Sequence, residues 1–167
     1  MVGEGGSTSN QARFDSPDRE LPKRSEDGRP AMIVVDTNQI AYLLIGGDLT
    51  DAVRRVFIRD SAWSAPILWR SEFPSILAHY IRRHELRLSQ AIRMQQMAEE
   101  LLAGREHLMN SERILRLVEK SGCSAYDCEL VALAMELRVP LVTSDKKILC
   151  EFPRISISPE AFTEDGA

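Results

Sequence analysis

The fold is decided by residues 32–38, which read MIVVDTN. Four apolar residues in a row predict a short strand that is buried on both faces, as in the centre of a parallel sheet. The run ends at Asp36, and open α/β sheets bind their ligands at the carboxyl ends of the strands. We therefore predict that Asp36 points into a ligand site.

A second stretch, residues 141–145 with the sequence LVTSD, repeats this arrangement. An apolar run is followed by the hydroxyls of Thr143 and Ser144 and then by Asp145. Two acids at the ends of two buried strands are readily explained by a divalent cation, because carboxylate oxygens are the ligands that Mg²⁺ and Mn²⁺ prefer.

Strand and helix patterns alternate between these stretches, which predicts a single-domain α/β/α sandwich with a central, mainly parallel sheet. We place the folded domain at 31–158, after a disordered tail at 1–30 rich in Gly, Ser, Asp, Arg and Pro. Residues 159–167 are predicted to form an acidic C-terminal tail. Strands are predicted at 32–35, 62–67, 106–109, 140–143 and 154–157, and helices at 38–45, 50–59, around Phe73–Ile81, from Ser89 to Gly104, from Ser111 to Ser121, from Ser124 to Arg138 and at 146–150.

Composition narrows the class of protein further. No stretch approaches the ~20 apolar residues of a membrane span, and no secretory signal is present, so we expect a cytoplasmic protein. Cys123, Cys128 and Cys150 lack metal-site spacing and are predicted to be reduced thiols. The net charge of −4 lies in the two ends. Because the body is neutral, gathering its acids at one site would leave a surface compatible with a polyanion.

Asp127 is the third candidate acid, and it lies in the first turn of the helix that Ser124 begins. The sequence Ser124-Ala125-Tyr126-Asp127 has the form of a capping box, so Asp127 could simply cap the helix. At 100° per residue, however, Asp127 shares a face with the apolar residues 130, 131 and 134, which turns its carboxylate towards the protein. Glu129 falls on the opposite side and is predicted to be a solvated surface acid.

Glu72 is the fourth candidate acid, at the edge of the apolar stripe of the third predicted helix. A Glu in a first turn also favours the helix dipole, which is its simplest interpretation. Pro74 follows closely. It is harmless if the helix begins near Ser71, but it predicts a kink beyond Glu72 if the helix begins near Leu68.

These four acidic segments, in this order, resemble the motifs of PIN-domain nucleases, and most closely the VapC-like toxins of type II toxin–antitoxin pairs. The segments are residues 34–38, 68–72, 124–128 and 143–145, and the resemblance covers about residues 32–157. It implies an α/β/α sandwich in which Asp36, Glu72, Asp127 and Asp145 bind Mg²⁺ or Mn²⁺. It also implies an endoribonuclease that a cognate antitoxin protein holds inactive.

Roles follow for the individual residues. Asp36 and Asp145 are predicted to be direct metal ligands, Asp127 to bind directly or through water, and Glu72 to orient or deprotonate the attacking water. The hydroxyl and amide groups of residues 37, 38, 143 and 144 could hold water or phosphate, or make ordinary caps and turns. The tentative substrate-binding residues are Thr37, Asn38, Thr143, Ser144, Lys146 and Lys147, and an arginine run at positions 82, 83, 87 and 93 is a weaker candidate for an RNA surface.

Other functions remain open at this point. A non-catalytic PIN module that binds RNA or a protein partner is the main alternative, and apolar helix stripes around Ile76 or Met94 could be core, an antitoxin surface or a homodimer surface. A phosphoacceptor receiver is disfavoured because Thr37 and Asn38 follow Asp36 where an acidic pair would be expected. A haloacid-type phosphatase would need an acid at Asn38, and no GxGxxG motif suggests a dinucleotide enzyme.

Overall fold

The computed structural model describes residues 32–164, which form a sheet of five parallel strands with helices on both faces. The strands are β1 (Ile33–Val35), β2 (Trp63–Pro66), β3 (Glu106–His107), β4 (Leu141–Val142) and β5 (Ser156–Ile157). Their order is β3-β2-β1-β4-β5, and every pairing is parallel. The predicted α/β/α architecture is confirmed. The predicted tail at 1–30 lies outside the described residues.

Eight helices within residues 32–164 connect and flank these strands, and most begin or end within two residues of the predicted positions. The helix after β3 begins at Ser111 as predicted, but the preceding one is capped by Arg87 rather than Ser89, because the Gln90 side chain accepts a hydrogen bond from the Arg87 backbone N–H. The helices are α1 (Thr37–Leu44), α2 (Thr50–Arg59), α3 (Trp69–Arg82), α4 (Leu88–Leu102), α5 (Ser111–Lys120), α6 (Ala125–Leu137), α7 (Lys146–Glu151) and α8 (Pro159–Glu164).

Strand β1 joins two hydrophobic cores, one on each face of the sheet. Ile33 and Val35 belong to the core that includes side chains of α1, α2, α3 and α4, whereas Val34 belongs to the core beneath α5 and α6. Successive side chains of a strand point to opposite faces, so three consecutive buried residues reach both cores. The apolar run therefore has the role in the sheet centre that its sequence predicts.

Helix α8 corrects the prediction that residues 159–167 form a tail. Residues 159–164 are helical and pack on α2. The guanidinium of Arg59 donates a hydrogen bond to the backbone carbonyl of Phe162 and lies 5.0 Å from the centre of its ring. The prediction relied on the three acids of residues 159–167 and overlooked the apolar side chains of Phe162 and Pro159. The folded body thus extends to at least Glu164, and residues 165–167 lie outside the described range.

We expect a chain that ends at Ser158 to be less stable than the full chain, because it loses α8. Burial of one aromatic side chain and its contacts is worth about 2 kcal/mol, and urea unfolding would measure the loss. A chain that ends at Glu164 is the matched control and should unfold like the full chain. Equal midpoints for both truncations would show that α8 does not stabilise the domain.

Candidate active site

The carboxyl edge of the sheet carries a cleft of about 480 Å³ that contains all four predicted acids. Asp36 follows β1, Asp145 follows β4, and Glu72 and Asp127 lie in the first turns of α3 and α6. Four separate segments of the chain thus each contribute one carboxylate to the cleft. Its lining consists of Asp36, Thr37, Asn38, Leu68, Ser71, Glu72, Ser75, Ile76, Tyr126, Asp127, Leu130, Asp145 and Ile148.

Asp36 is the deepest of the four acids, with only 5% of its surface exposed. It caps α1, where its Oδ1 accepts a hydrogen bond of 3.0 Å from the backbone N–H of Gln39. Its Oδ2 accepts a hydrogen bond from the hydroxyl of Thr143. Burial raises the pKa of Asp36 to about 6, because loss of water outweighs the hydrogen bonds that favour the ionised form.

Glu72 accepts a hydrogen bond from the Thr37 hydroxyl through its Oε2. This contact ties the start of α3 to the start of α1. Helix α3 begins at Trp69, so Pro74 lies beyond its first turn, and the helix continues through it to Arg82. Because proline has no N–H, the carbonyl of Arg70 lacks its helical hydrogen bond at that point. Pro74 therefore does not end the helix that carries Glu72.

Asp127 and Asp145 both accept hydrogen bonds at the starts of their own helices. The Oδ2 of Asp127 accepts hydrogen bonds from the backbone and hydroxyl of Ser124, at 2.9 and 2.8 Å, which completes the predicted capping box. The Oδ1 of Asp145 accepts from the backbone N–H groups of Lys147 and Ile148, at 2.8 and 3.1 Å. Each acid is thus positioned by a local motif that its sequence encodes.

The six tentative substrate-binding residues separate into three groups. Thr37 and Asn38 line the cleft beside the acids. Thr143 and Ser144 do not line it. Thr143 bridges two acids, since its hydroxyl donates to Asp36 and accepts from the backbone N–H of Asp145 at 3.0 Å.

Lys146 and Lys147 form the third group: both are exposed and neither lines the cleft. The side chain of Lys147 lies beside Gly122 instead.

Gln39 is a site residue that the sequence did not reveal. It is almost fully buried, and its Nε2 lies 3.4 Å from Oδ1 of Asp36 and 3.2 Å from Oγ of Ser144. Its Oε1 has no hydrogen-bond partner within residues 32–164. The available signal was a polar residue at the start of α1, followed directly by the fully buried Ile40, but helix periodicity alone did not indicate what it contacts.

The prediction for Glu129 is wrong. This residue is half-buried, and its pKa is raised first by burial and then by the negative charge of Glu72. Helix α6 contacts β1, β2 and β4, so it lies across the centre of the sheet and has neighbours on both flanks. The angle between Glu129 and Asp127 was therefore a poor guide to its exposure. Glu129 is a fifth acid near the cleft.

The oxygen donors of the cleft fit a hard divalent cation, because four carboxylates line the cleft together with hydroxyl groups. Within the described residues, no three side chains of His, Cys, Asp or Glu stand close enough together to form a ready metal site. Asp127 and Asp145 turn instead towards the N–H groups of their own helices. A cation would draw these carboxylates away from part of their capping bonds.

The acid-lined cleft lies at the carboxyl edge of the parallel sheet, which is where α/β folds of this class bind their ligands. The PIN domain family model matches residues 33–155, so the chain belongs to the PIN domain family, whose members are usually nucleases. Comparison with curated proteins gives no match. No helix in the described part of the chain is long and apolar enough to cross a membrane.

Two solved structures share the fold. PAE2754 from Pyrobaculum aerophilum aligns with a TM-score of 0.63 at 17% identity, covering 81% of this chain and 89% of that one. A toxin–antitoxin complex from Klebsiella pneumoniae aligns with a TM-score of 0.53 at 16% identity, covering 76% of this chain and 97% of that one. At these identities the likeness establishes the fold.

We expect Asp36→Asn to stabilise the metal-free protein at neutral pH. The folded-state pKa of about 6 lies above the ordinary 3.8, so ionising Asp36 costs stability as the pH rises through this window. The variant should match the wild type near pH 4 and exceed it by up to about 3 kcal/mol at pH 7.5. Urea unfolding in EDTA at both pH values would measure this, and a difference independent of pH would contradict it.

Proposed function

We propose that this protein is a metal-dependent endoribonuclease that acts in the cytoplasm as the toxin of a type II toxin–antitoxin pair. The observation that carries the proposal is the convergence of Asp36, Glu72, Asp127 and Asp145, from four segments of a PIN domain, on one cleft. Four carboxylates in one cleft repel each other unless a cation offsets their charge. Mg²⁺ or Mn²⁺ suits a donor set made of hard oxygens.

Asp36 and Asp145 would hold the cation directly, and Asp127 directly or through water. When bound, the cation would supply a water of lowered pKa and would offset negative charge on the phosphoryl oxygens. Asp36 is suited to be the central ligand of the cation because Thr143 and Gln39 fix both of its carboxylate oxygens. Thr143 also contacts the backbone of Asp145, so one hydroxyl sets the relation between the two ligands.

Glu72 would orient the attacking water and accept its proton. The hydroxyl of Thr37 donates a hydrogen bond to the Glu72 carboxylate, which fixes the direction of this side chain. In the reaction, the water oxygen bonds to phosphorus, one P–O bond of the RNA backbone breaks, and the leaving oxygen takes up a proton. Thr37 and Asn38 line the cleft at the start of α1 and would hold a phosphoryl oxygen.

The toxin role is supported by the structural neighbour from Klebsiella pneumoniae, which is a toxin–antitoxin complex. An antitoxin would be a protein partner that covers the cleft or an adjoining surface. The protein could also form a homodimer, because Leu88 and Ile92 on α4 expose apolar side chains that a second copy could cover. The exposed Lys146 and Lys147 would contact the RNA backbone outside the cleft rather than within it.

The purified protein should cleave single-stranded RNA with Mg²⁺ or Mn²⁺ and lose this activity in EDTA. Asp36→Asn and Asp145→Asn should each lower the cleavage rate by at least about 100-fold, because each removes a charged ligand. Asn also caps helices well, so both variants should fold. Gel assays with a labelled oligonucleotide would measure the rates.

Asp48→Asn is the matched control for this experiment, because Asp48 is exposed and does not line the cleft. It should cleave like the wild type. Equal cleavage in EDTA, or by Asp36→Asn, would exclude the metal mechanism. RNA binding without any cleavage by the wild type would instead support a non-catalytic PIN module.

Expression of the wild-type protein in bacteria should arrest growth, whereas Asp145→Asn should not, if the cleavage acts as a toxin. Co-expression of the protein encoded by the adjacent reading frame should restore growth. Colony counts with and without inducer would measure both effects. Normal growth despite active soluble enzyme would refute the toxin role while leaving the nuclease proposal intact.

A further inference from the structure

Tyr126 stands apart from the other large aromatic residues because its side chain is exposed. Among the Phe, Trp and Tyr residues between positions 32 and 164, it is the only exposed one, with 61% of its surface accessible to solvent. Trp63, Trp69 and Phe73 are fully buried in the core. A single exposed tyrosine is common on protein surfaces. The exposure of Tyr126 points to a functional role because Tyr126 lines the same cleft as the four acids.

The cleft has two kinds of lining. One part consists of the carboxylates with Thr37, Asn38 and two serines, and the other is apolar. Tyr126 belongs to the apolar part, together with Leu68, Ile76, Leu130 and Ile148. A phosphodiester group has no apolar surface that could pack against such side chains. A nucleobase has two flat faces that could. The cleft therefore matches a substrate that carries a flat, uncharged ring close to the phosphate.

Helix α6 places the aromatic ring directly beside an acid. Tyr126 and Asp127 are consecutive residues in its first turn, so their Cα atoms are about 3.8 Å apart. Their side chains leave the helix about 100° apart, and both line the cleft. A base that stacks on Tyr126 would thus belong to a nucleotide next to the phosphate at the acids.

We propose that the ring of Tyr126 is the platform on which a base next to the cleaved phosphodiester stacks. This inference rests on the proposed function. Stacking on an aromatic side chain needs a base that is free of its neighbours, and a base inside a duplex is not. Because every base has a flat face, the platform favours unpaired RNA without demanding one sequence.

The test compares steady-state cleavage of a mixed-sequence single-stranded RNA by the full-length protein and its variants. Tyr126→Ala should raise KM by about 5- to 150-fold, the loss typical of one stacked base, and should leave kcat within about threefold. Tyr126→Phe keeps the ring and should restore binding. Leu115→Ala is the matched control, because Leu115 is equally exposed on α5 but does not line the cleft.

A second measurement distinguishes stacking from a structural role of Tyr126. Abasic nucleotides are placed one at a time in the RNA, and the Kd of each is measured with Asp145→Asn protein so that the RNA stays intact. One abasic position should weaken binding to the protein with Tyr126 but add little further loss in the Tyr126→Ala background. A base-paired RNA of the same length should bind more weakly and should be insensitive to Tyr126→Ala.

Five outcomes would overturn the inference. If the wild type neither binds nor cleaves RNA, the proposed function fails and this inference fails with it. If the wild type cleaves and Tyr126→Ala changes nothing, the platform alone is refuted. A loss confined to kcat, or fully additive abasic losses, would mean that Tyr126 only positions Asp127. Unchanged RNA kinetics with weaker antitoxin binding would assign the ring to a protein partner.

Discussion

The rest of the structure depends on how one carboxylate, that of Asp36, is buried at the end of β1. Removing an ionised carboxylate from water costs several kcal/mol unless hydrogen bonds replace its hydration. Here the replacement comes from the backbone of Gln39 and the hydroxyl of Thr143. Thr143 directly follows β4, the strand that pairs with β1. The same contact therefore solvates the acid and fixes the two central strands relative to each other.

The other acids are tolerated because helix starts surround them. Asp36 and Asp145 are N-caps, and Glu72 and Asp127 lie in first turns, so the N-termini of α1, α3, α6 and α7 all meet at the cleft. Each terminus carries a partial positive charge of about half an elementary charge. Together they moderate the repulsion among four carboxylates. The parallel topology produces this convergence, because every strand delivers the chain to the same edge.

Local motifs could be predicted from the sequence, and contacts between distant segments could not. The apolar run of β1 and the capping box at Ser124 depend on neighbouring residues, and the structure has them as predicted. All four acids likewise reach one cleft. Glu129 was misjudged because its burial, and its closeness to the charge of Glu72 57 positions earlier, depend on the packing of distant segments. Gln39 and α8 were missed for the same reason, since their partners, Ser144 and Arg59, come from other elements.

The alternation along β1 has a consequence for the kinds of sequence change this domain can accept. Ile33 and Val35 face one core, Val34 faces the other, and Asp36 completes the register at the cleft. Replacing one branched apolar residue by another preserves this arrangement. Inserting or deleting a single residue would exchange the two faces and turn the carboxylate away from the cleft. Homologues should therefore exchange only apolar residues in this strand and should keep its length.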